Sequence, residues 1–162
     1  MNIYIPYWIN GQLSPNVIRT IGMQNIECNI VVVSSIRTPD RAGEYYNRNL
    51  IFKLAHDTEF FVMQDSDISH VRYDNIKEML EYLKIHPSIG YVSVRAAHMM
   101  KHTDHIGTDC CMVRTASLNN YILTQHASKN CCCVELKKLV EQNGYSAKYL
   151  DNVERIRLEP RP

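Results

Sequence analysis

Apolar runs alternate with amphipathic segments through the first half of the chain. Four short runs rich in β-branched or aromatic residues predict strands, at residues 3–5, 28–34, 59–64 and 89–94. Between them, apolar residues recur at helical spacing and predict helices after the Ser14-Pro15 pair, over 43–56 and over 74–85. Strands that alternate with helices are typical of a parallel sheet flanked by helices. The pattern therefore predicts an α/β fold, a three-layer α/β/α sandwich with a mostly parallel central sheet.

Two prolines and one long apolar run set local expectations. Pro6 is expected to end the first strand, because proline lacks the N–H that a sheet ladder needs. Pro15 is expected to begin a helix, since it follows Ser14 and serine before proline is a typical N-cap arrangement. The continuously apolar CNIVVVS run over 28–34 predicts a strand that is buried on both faces.

The second half of the chain has a weaker pattern. Residues 98–109 are polar without a clear period, which predicts a loop. The elements expected after this loop are a strand over 110–114, a short helix over 117–123, a helix over 134–143 capped by Gly144, and a final strand over 145–150. The tail from Glu159 to Pro162 is predicted to be frayed. No repeat or low-complexity linker divides the chain, so a single domain over residues 1–162 is predicted.

Composition and charge narrow the class of protein. The chain has 162 residues, of which 45% are hydrophobic and 22% charged, as is ordinary for a folded globular protein. Its formal net charge is +1, which is too small to produce the strongly positive surface of a general nucleic-acid-binding protein. The N-terminus has no signal-peptide pattern, and no run reaches the ~18 apolar residues of a membrane span. Cysteines are adjacent at 110–111 and 131–133, which favours reduced thiols, so we predict a cytoplasmic protein.

Two carboxylates directly after the apolar FFVM run carry the clearest chemical signal. Asp65 and Asp67 flank Ser66 at the end of a predicted strand, where open α/β sheets bind ligands. Paired carboxylates there suit a divalent cation such as Mg²⁺ or Mn²⁺, with phosphate oxygens completing the coordination shell. The alternative interpretation is structural, with Asp67 capping a turn before the next helix. The position after a buried strand favours the metal site.

The order of these segments resembles the nucleotide-binding half of family 2 glycosyltransferases, which have the GT-A fold. The resemblance rests on IYIPY, CNIVVVSS, YYNRNLIFKLA and TEFFVMQDSDI, and it is densest between positions 3 and 95. Farther along, HIGTDCCMVRTASL and VELKKLVEQNGYSAKYLDN are similar to the family's later strands and helix. The resemblance implies a nucleotide-binding half over 1–97, an acceptor-side half over 98–162, and transfer of a sugar from a nucleotide-diphosphate sugar.

The resemblance also implies roles for individual residues. Asp65 and Asp67 would bind Mn²⁺ or Mg²⁺, and Asp65 would also face the donor. The residues implied around the nucleotide are Pro6, Tyr7, Ser34, Ser35, Arg37 and Arg48. Arg48 would lie near the ribose or the diphosphate, where an arginine fork pairs with two oxygens. The alternative for Arg48 is a solvated helix position with Glu44 as its ion-pair partner.

The expected catalytic base is less clearly marked. In inverting members of the family it is an acidic residue at the start of the late helix, and counting back from the glycine after that helix leads to Cys132 and Cys133. Asp109 and Glu135 are the carboxylates that we expect to replace it. Glu135 has an ordinary alternative explanation, because the helix dipole favours an acid in the first turn of a helix.

Three other interpretations stay open. A non-catalytic nucleotide- or glycan-binding domain is favoured by the cysteines at 132–133, and a nucleotidyltransferase would use the same metal. The histidines at 98, 102 and 105 and the nearby cysteines suggest a structural zinc site, although no C-x-x-C pair is present. The partners expected are the nucleotide-diphosphate sugar, an acceptor that is a glycan, lipid or protein, and a second copy in a homodimer.

Overall fold

The structure, a computed structural model, describes residues 1–8, 13–35, 42–94, 106–119, 132–150 and 154–159. Its strands are β1 (Asn2–Trp8), β2 (Asn29–Ser35), β3 (Phe60–Gln64), β4 (Ile68–His70), β5 (Ile89–Ser93), β6 (Cys110–Arg114), β7 (Ser146–Tyr149) and β8 (Ile156–Leu158). Its α-helices are α1 (Pro15–Gly22), α2 (Ala42–Leu54), α3 (Asn75–Ile85) and α4 (Cys132–Gln142). None of the helices in these ranges has the length and apolar character needed to cross a membrane.

A six-stranded sheet in the order β2-β1-β3-β6-β5-β7 forms the centre of the fold. β1 pairs in parallel with β2 and β3, and β5 pairs in parallel with β7, whereas β6 runs antiparallel to both β3 and β5. The first residues of β6 are therefore neighbours of the last residues of β3. We call the side of the sheet where the parallel strands end and β6 begins the carboxyl edge. The sheet confirms the predicted fold class.

Helices cover both faces of the sheet and divide the core into two layers. Phe61 and Val62 are adjacent in β3 but belong to different layers: Phe61 packs with α2 and α4, and Val62 packs with α1 and α3. Successive side chains of a strand point to opposite faces, which produces this division. The three layers are those of the predicted α/β/α sandwich.

The two prolines give one confirmed and one wrong expectation. α1 begins at Pro15, and the Ser14 hydroxyl oxygen accepts a hydrogen bond from the Asn16 N–H at 3.3 Å, as expected of an N-cap. Pro6, however, does not end the first strand, because β1 continues past it in register with β2. β3 pairs only with the part of β1 that precedes Pro6. The chain at Pro6 therefore has a strand neighbour on one side, where a missing N–H is tolerated.

β2 lies at one edge of the sheet, so the prediction that it is buried on both faces is wrong. Val33 is buried in the layer of α2, but Ile30 and Val32 on the other face keep 36% and 48% of their surface exposed. Within the described residues, β1 is the only strand that pairs with β2. α1 lies against β4 instead of covering this face. An apolar run is compatible with an edge strand as well as with a central one, and tertiary packing decides between them.

A separate two-stranded sheet of β4 and β8 ties down the end of the described chain. Glu159 follows β8 and is buried, and its carboxylate accepts hydrogen bonds from the Ser69 hydroxyl at 2.5 Å and from the Asn16 side chain at 3.1 Å. These hydrogen bonds lower the pKa of Glu159. The prediction that the tail is frayed from Glu159 is therefore wrong at this residue, and residues 160–162 lie outside the described ranges.

In the rest of the second half, the predicted strand over 110–114 is confirmed as β6. The late helix is α4, which begins at Cys132, and Gly144 follows it with a φ of 81°, the left-handed conformation that glycine adopts after a helix. A short helix was predicted over 117–123. The structure has a 3-10 turn at Thr115–Ser117, which shares only Ser117 with that range, and residues 120–123 lie outside the described ranges.

Candidate functional site

A buried arginine reaches the end of β3 from helix α2. Arg48 has 4% of its surface exposed, its Nη2 lies 3.2 Å from Oδ1 of Asp65, and its Nη1 lies 3.7 Å from the Met63 sulfur. Burial disfavours the cationic form, but the nearby Cys132 thiol and Asp65 carboxylate outweigh it and raise the pKa of Arg48. The guanidinium is therefore a fixed positive charge inside the fold. The alternative interpretation of Arg48 as a solvated helix residue is wrong.

Asp109 lies directly across the sheet from Asp65. β3 and β6 pair in antiparallel register up to Gln64 and Cys110, and the Asp65 N–H continues this ladder by donating to the Asp109 carbonyl at 2.7 Å. Residues directly opposite in an antiparallel pair send their side chains to the same face. Met63, two residues before Asp65, lies in the layer of α2 and α4. Both carboxylates therefore face that layer, and the Asp65 side chain is 29% exposed.

The helices α2 and α4 both begin at the carboxyl edge. α2 follows the end of β2 and leads to the start of β3, and α4 leads to the start of β7. The parallel strands start at the end of the sheet opposite the carboxyl edge, so both helices run away from the carboxyl edge. The Thr108 hydroxyl lies 3.5 Å from the Cys133 sulfur, so the first turn of α4 is close to the residues that precede β6. The N-terminus of a helix carries partial positive charge and attracts anions. With Arg48, the two helix ends make this edge suited to a phosphate-bearing ligand.

Thiols occupy the first turn of α4, where the resemblance implies a carboxylate. Cys132 is buried and Cys133 is partly exposed. Burial raises the pKa of Cys111, which belongs to the same core layer. Glu135 is also in the first turn of α4, and its Oε1 lies 3.4 Å from Nζ of Lys138 in the same helix. Of the two carboxylates expected as the base, Asp109 is the one whose backbone contacts Asp65.

The Asp65-Ser66-Asp67 segment is a turn between β3 and β4. The Ile68 N–H closes it by donating to the Asp65 carbonyl at 3.2 Å. Asp67 is largely buried, and its carbonyl accepts the Glu159 N–H at 2.6 Å. The turn therefore connects the central sheet to the small sheet of β4 and β8.

The carboxylates of this region decide which metal the site fits. No group of three or more His, Cys, Asp or Glu side chains among the described residues is arranged to hold a metal ion. Asp65 and Asp67 nevertheless place two carboxylate residues in one turn at the end of β3, and Mg²⁺ or Mn²⁺ commonly takes one or two carboxylates and completes its shell with phosphate oxygens and water. The donor set therefore fits a hard divalent ion. The three histidines of the zinc hypothesis and Cys131 lie outside the described residues.

The residues implied around the nucleotide lie where β1 and β2 end. The parallel register brings Pro6 and Tyr7 of β1 beside Val33 and Ser34 of β2, and Ser35 ends that strand. Because β1 is also a neighbour of β3, these residues share the carboxyl edge with Asp65. Arg48, described above, also belongs to this set, and Arg37 lies outside the described residues.

Asn47 is a buried residue to which the sequence pattern assigned no role. Its side chain is fully buried, and neither its amide oxygen nor its amide nitrogen has a hydrogen-bond partner in the described structure. Nε of the adjacent Arg48 also lacks one. Buried polar atoms without partners are rare, because each costs free energy. The sequence could have indicated their burial, because Asn47 and Arg48 precede the buried Ile51 by four and three residues and so lie on the same side of α2.

Three solved structures resemble this chain closely in backbone and distantly in sequence. S. aureus TarS 1–349 in complex with UDP-GlcNAc has a TM-score of 0.70 and 15% identity, over 99% of this chain and 58% of that one. The mannosyltransferase PcManGT from Pyrobaculum calidifontis, in complex with GDP-Man and Mn²⁺, has a TM-score of 0.72 and 14% identity, over 98% and 56%. A glycosyltransferase involved in the glycosylation of the major capsid of PBCV-1 has a TM-score of 0.61 and 17% identity, over 93% and 81%.

The chain has the fold of these glycosyltransferases. The three similarities agree with the GT-A-like fold that the resemblance implied. Neither a protein-family model nor a curated protein sequence matches the chain. The chain spans little more than half of the TarS 1–349 and PcManGT chains, at 58% and 56% of their lengths.

Proposed function

We propose that this chain is a glycosyltransferase that moves a sugar from a nucleotide-diphosphate sugar to an acceptor hydroxyl. The observation that carries the proposal is the 3.2 Å contact between Arg48 and Asp65, with Asp109 opposite Asp65 at the carboxyl edge. It combines one fixed cation with two carboxylates where α2 and α4 begin. The likeness to the folds of TarS with UDP-GlcNAc and of PcManGT with GDP-Man supports a nucleotide-sugar donor.

In this proposal, the diphosphate of the donor binds at the carboxyl edge beside Arg48. Because Arg48 is shielded from water, its charge is weakly screened and attracts the diphosphate strongly. The positive ends of α2 and α4 add to this attraction. The nucleoside lies toward the ends of β1 and β2, near Pro6, Tyr7, Ser34 and Ser35.

Asp65 and Asp67 are the proposed ligands of Mn²⁺ or Mg²⁺. When bound, such an ion supplies positive charge that neutralises the leaving diphosphate. The presence of Mn²⁺ in the PcManGT structure supports this choice of metal. Asp65 has a second task in the proposal, because its contact with Arg48 orients the guanidinium toward the donor.

Asp109 is the proposed catalytic base. The acceptor hydroxyl attacks the anomeric carbon and gives its proton to Asp109, while the bond from that carbon to the diphosphate oxygen breaks and its electron pair leaves on the nucleoside diphosphate. Glu135 is the second candidate for this role. The variants Asp109→Asn and Glu135→Gln separate the two, because the base variant loses turnover and keeps donor binding.

The experiment that tests the proposal measures thermal unfolding with UDP- and GDP-sugars, with and without Mn²⁺. It compares wild type with Asp65→Asn and with Asp57→Asn, a matched control whose side chain is 85% exposed after α2. A ligand at about 100 times its Kd stabilises a protein by about 2.7 kcal/mol. We expect a Mn²⁺-dependent shift that Asp57→Asn keeps and Asp65→Asn loses. No shift with any nucleotide would contradict the proposal.

A non-catalytic donor-binding domain is the second candidate function, favoured by Cys132 and Cys133 in the first turn of α4. Release of nucleoside diphosphate from the donor that gives the largest shift separates the two functions. An enzyme releases it, faster when a glycan, lipid or protein acceptor is present, and Asp109→Asn slows the release. A binding domain gives the same thermal shift without release.

A further inference from the structure

Two tyrosine hydroxyls hold a single peptide group just before Asp109. The Tyr91 hydroxyl on β5 donates to the Ile106 carbonyl at 3.1 Å, and the Gly107 N–H donates to the Tyr149 hydroxyl on β7 at 2.6 Å. That carbonyl and that N–H belong to the same peptide unit, between Ile106 and Gly107. The unit is therefore fixed on its acceptor side by one strand and on its donor side by another.

The two hydroxyls take the place of sheet pairing in this segment. Ile106 and Gly107 are buried but precede β6, so no strand ladder of the described residues satisfies their peptide group. A buried peptide group requires hydrogen-bond partners, which the tyrosines supply. Burial raises the pKa of Tyr91, so its hydroxyl stays protonated and remains a donor to the Ile106 carbonyl.

Gly107 brings the Asp109 carboxylate and the Tyr149 hydroxyl to one point. A Cβ built on Gly107 would lie 2.9 Å from Oδ2 of Asp109 and 3.3 Å from the Tyr149 hydroxyl oxygen. The first distance is shorter than real Cβ contacts, so a side chain at position 107 would displace the carboxylate oxygen at the tip of Asp109. The orientation of Asp109 thus depends on the peptide that the two tyrosines hold.

We propose that Tyr91 and Tyr149 are positioning residues that aim the Asp109 carboxylate at the acceptor hydroxyl. This inference rests on the proposed function of Asp109 as the base. The tyrosines touch neither donor nor acceptor in the proposal; they act through the Ile106–Gly107 peptide. Their loss is therefore expected to affect the chemical step and to leave donor binding unchanged.

The test compares Tyr91→Phe and Tyr149→Phe with Tyr73→Phe, a control whose side chain is 65% exposed before α3. Each change removes one hydroxyl and keeps the ring. Because a misplacement of about 1 Å can cost about 100-fold in rate, we expect kcat to fall roughly 10- to 100-fold in the first two variants, with KM for the donor unchanged. Tyr73→Phe should match wild type. Gly107→Ala, which retains both hydroxyls but displaces the carboxylate, should lose kcat in the same way.

A double variant shows whether the tyrosines act through Asp109. In an Asp109→Asn background, Tyr149→Phe should cause no further loss of kcat, because the group that it positions is already gone. Equal losses in both backgrounds would overturn the inference, as would single variants with wild-type kcat. If wild type releases no nucleoside diphosphate from any donor, the proposed function fails and the inference fails with it. If wild type is active and only the tyrosine variants are indistinguishable from it, the inference fails alone.

A hydrogen-exchange measurement provides a readout that does not depend on activity. Tyr149→Phe removes the acceptor of the Gly107 N–H, so this amide should exchange faster than in wild type, while the Asp65 N–H keeps its bond to Asp109 and its slow exchange. Unchanged exchange at Gly107 would contradict the role given to Tyr149. If Tyr149→Phe does not fold, Tyr91→Phe and Gly107→Ala carry the kinetic test.

Discussion

The backbone N–H of Asp65 donates to the carbonyl of Asp109 at 2.7 Å, and this bond joins the two halves of the proposed site. Asp65 follows β3 and Asp109 precedes β6, which is the reversed strand of the sheet. If β6 ran parallel to β3, its last residue would lie at the carboxyl edge, and Asp109 would lie at the other end of the sheet. The antiparallel direction of β6 is therefore what brings the second carboxylate to the side where α2 and α4 begin.

Arg48→Met is expected to weaken donor binding. The change removes the buried cation and keeps a side chain of similar length, so the diphosphate loses a charge-assisted partner that is worth about 1.5–3 kcal/mol. This corresponds to a Kd for the nucleoside diphosphate that is roughly 10- to 100-fold higher, measured by calorimetry. The control is Lys53→Met near the end of the same helix, where the side chain is exposed. Equal affinities of the two variants would contradict a role of Arg48 in donor binding.

Asn47→Leu is expected to stabilise the protein. Both amide atoms are buried without hydrogen-bond partners among the described residues, and an apolar side chain of similar volume removes that cost, about 1–3 kcal/mol. The free energy of unfolding, measured with urea, should rise, while Asn25→Leu at an exposed position should change it by less than about 0.5 kcal/mol. A loss of stability in Asn47→Leu would show that the amide has a partner in solution, such as a buried water.

Acid is expected to destabilise the fold through His70. Its Nε2 lies 2.8 Å from the Gln64 side-chain oxygen and its Nδ1 lies 3.0 Å from the Asn75 amide nitrogen, so the neutral ring donates to one and accepts from the other. Burial lowers the pKa of His70 from 6.5 to about 4. The unfolded chain therefore binds this proton first as the pH falls, and stability is lost between about pH 6.5 and 4, by about 2–4 kcal/mol.

The measurement for His70 is urea unfolding from pH 7 to pH 4. At about one pH unit or more above 6.5 both states are almost entirely neutral at this residue, so it contributes little pH dependence there. His70→Gln should flatten the profile over the acid range, and His86→Gln, at an exposed position after α3, should leave it unchanged. An equally steep profile in His70→Gln would assign the acid sensitivity to other groups.

Gly90→Ala is expected to destabilise the fold because α4 and the 3-10 turn pack directly on β5 at this residue. A Cβ on Gly90 would overlap the Val140 side chain and lie 2.8 Å from Cβ of Ser117. Overpacking of this kind costs about 1–3 kcal/mol. Gly22→Ala is the control, since nothing lies within 4 Å of its Cβ position at the end of α1. Thermal unfolding should show a lower Tm for Gly90→Ala only, and equal Tm values would contradict the packing.

Local patterns in the sequence were sufficient for most elements and for the fold class. The start of α1 was predicted at Pro15 because the Ser14 cap and the proline are local features. The same kind of reasoning failed at Pro6, because a strand continues through proline where one side of it has no strand neighbour that needs the missing N–H. It also failed for β2, because an apolar run does not specify whether a helix covers each face of the strand. These outcomes depend on tertiary neighbours.

The site was predictable where its residues follow a strand and unpredictable where they depend on long-range pairing. Asp65 was recognised because it follows an apolar run that ends in a turn. Asp109 lay in a region without a period, and its position opposite Asp65 depends on the pairing of β3 with β6. No sequence pattern predicts the hydrogen bonds of the tyrosine hydroxyls on β5 and β7, because tyrosine is common in strands, where its ring packs in the core. The sequence allows two interpretations of Arg48; its burial excludes the solvated helix position, and its contact with the donor stays a prediction.

β3 and β6 are the two central strands of the six-stranded sheet, and the carboxylates of the proposed site are attached to their ends. The site is therefore attached to strands that have a paired neighbour on each side, and such strands are expected to open less readily than edge strands. A mutation that weakens the core should lower the fraction of molecules that bind the donor and leave the affinity of the remaining molecules unchanged. In a titration, such damage would alter the stoichiometry and preserve the Kd.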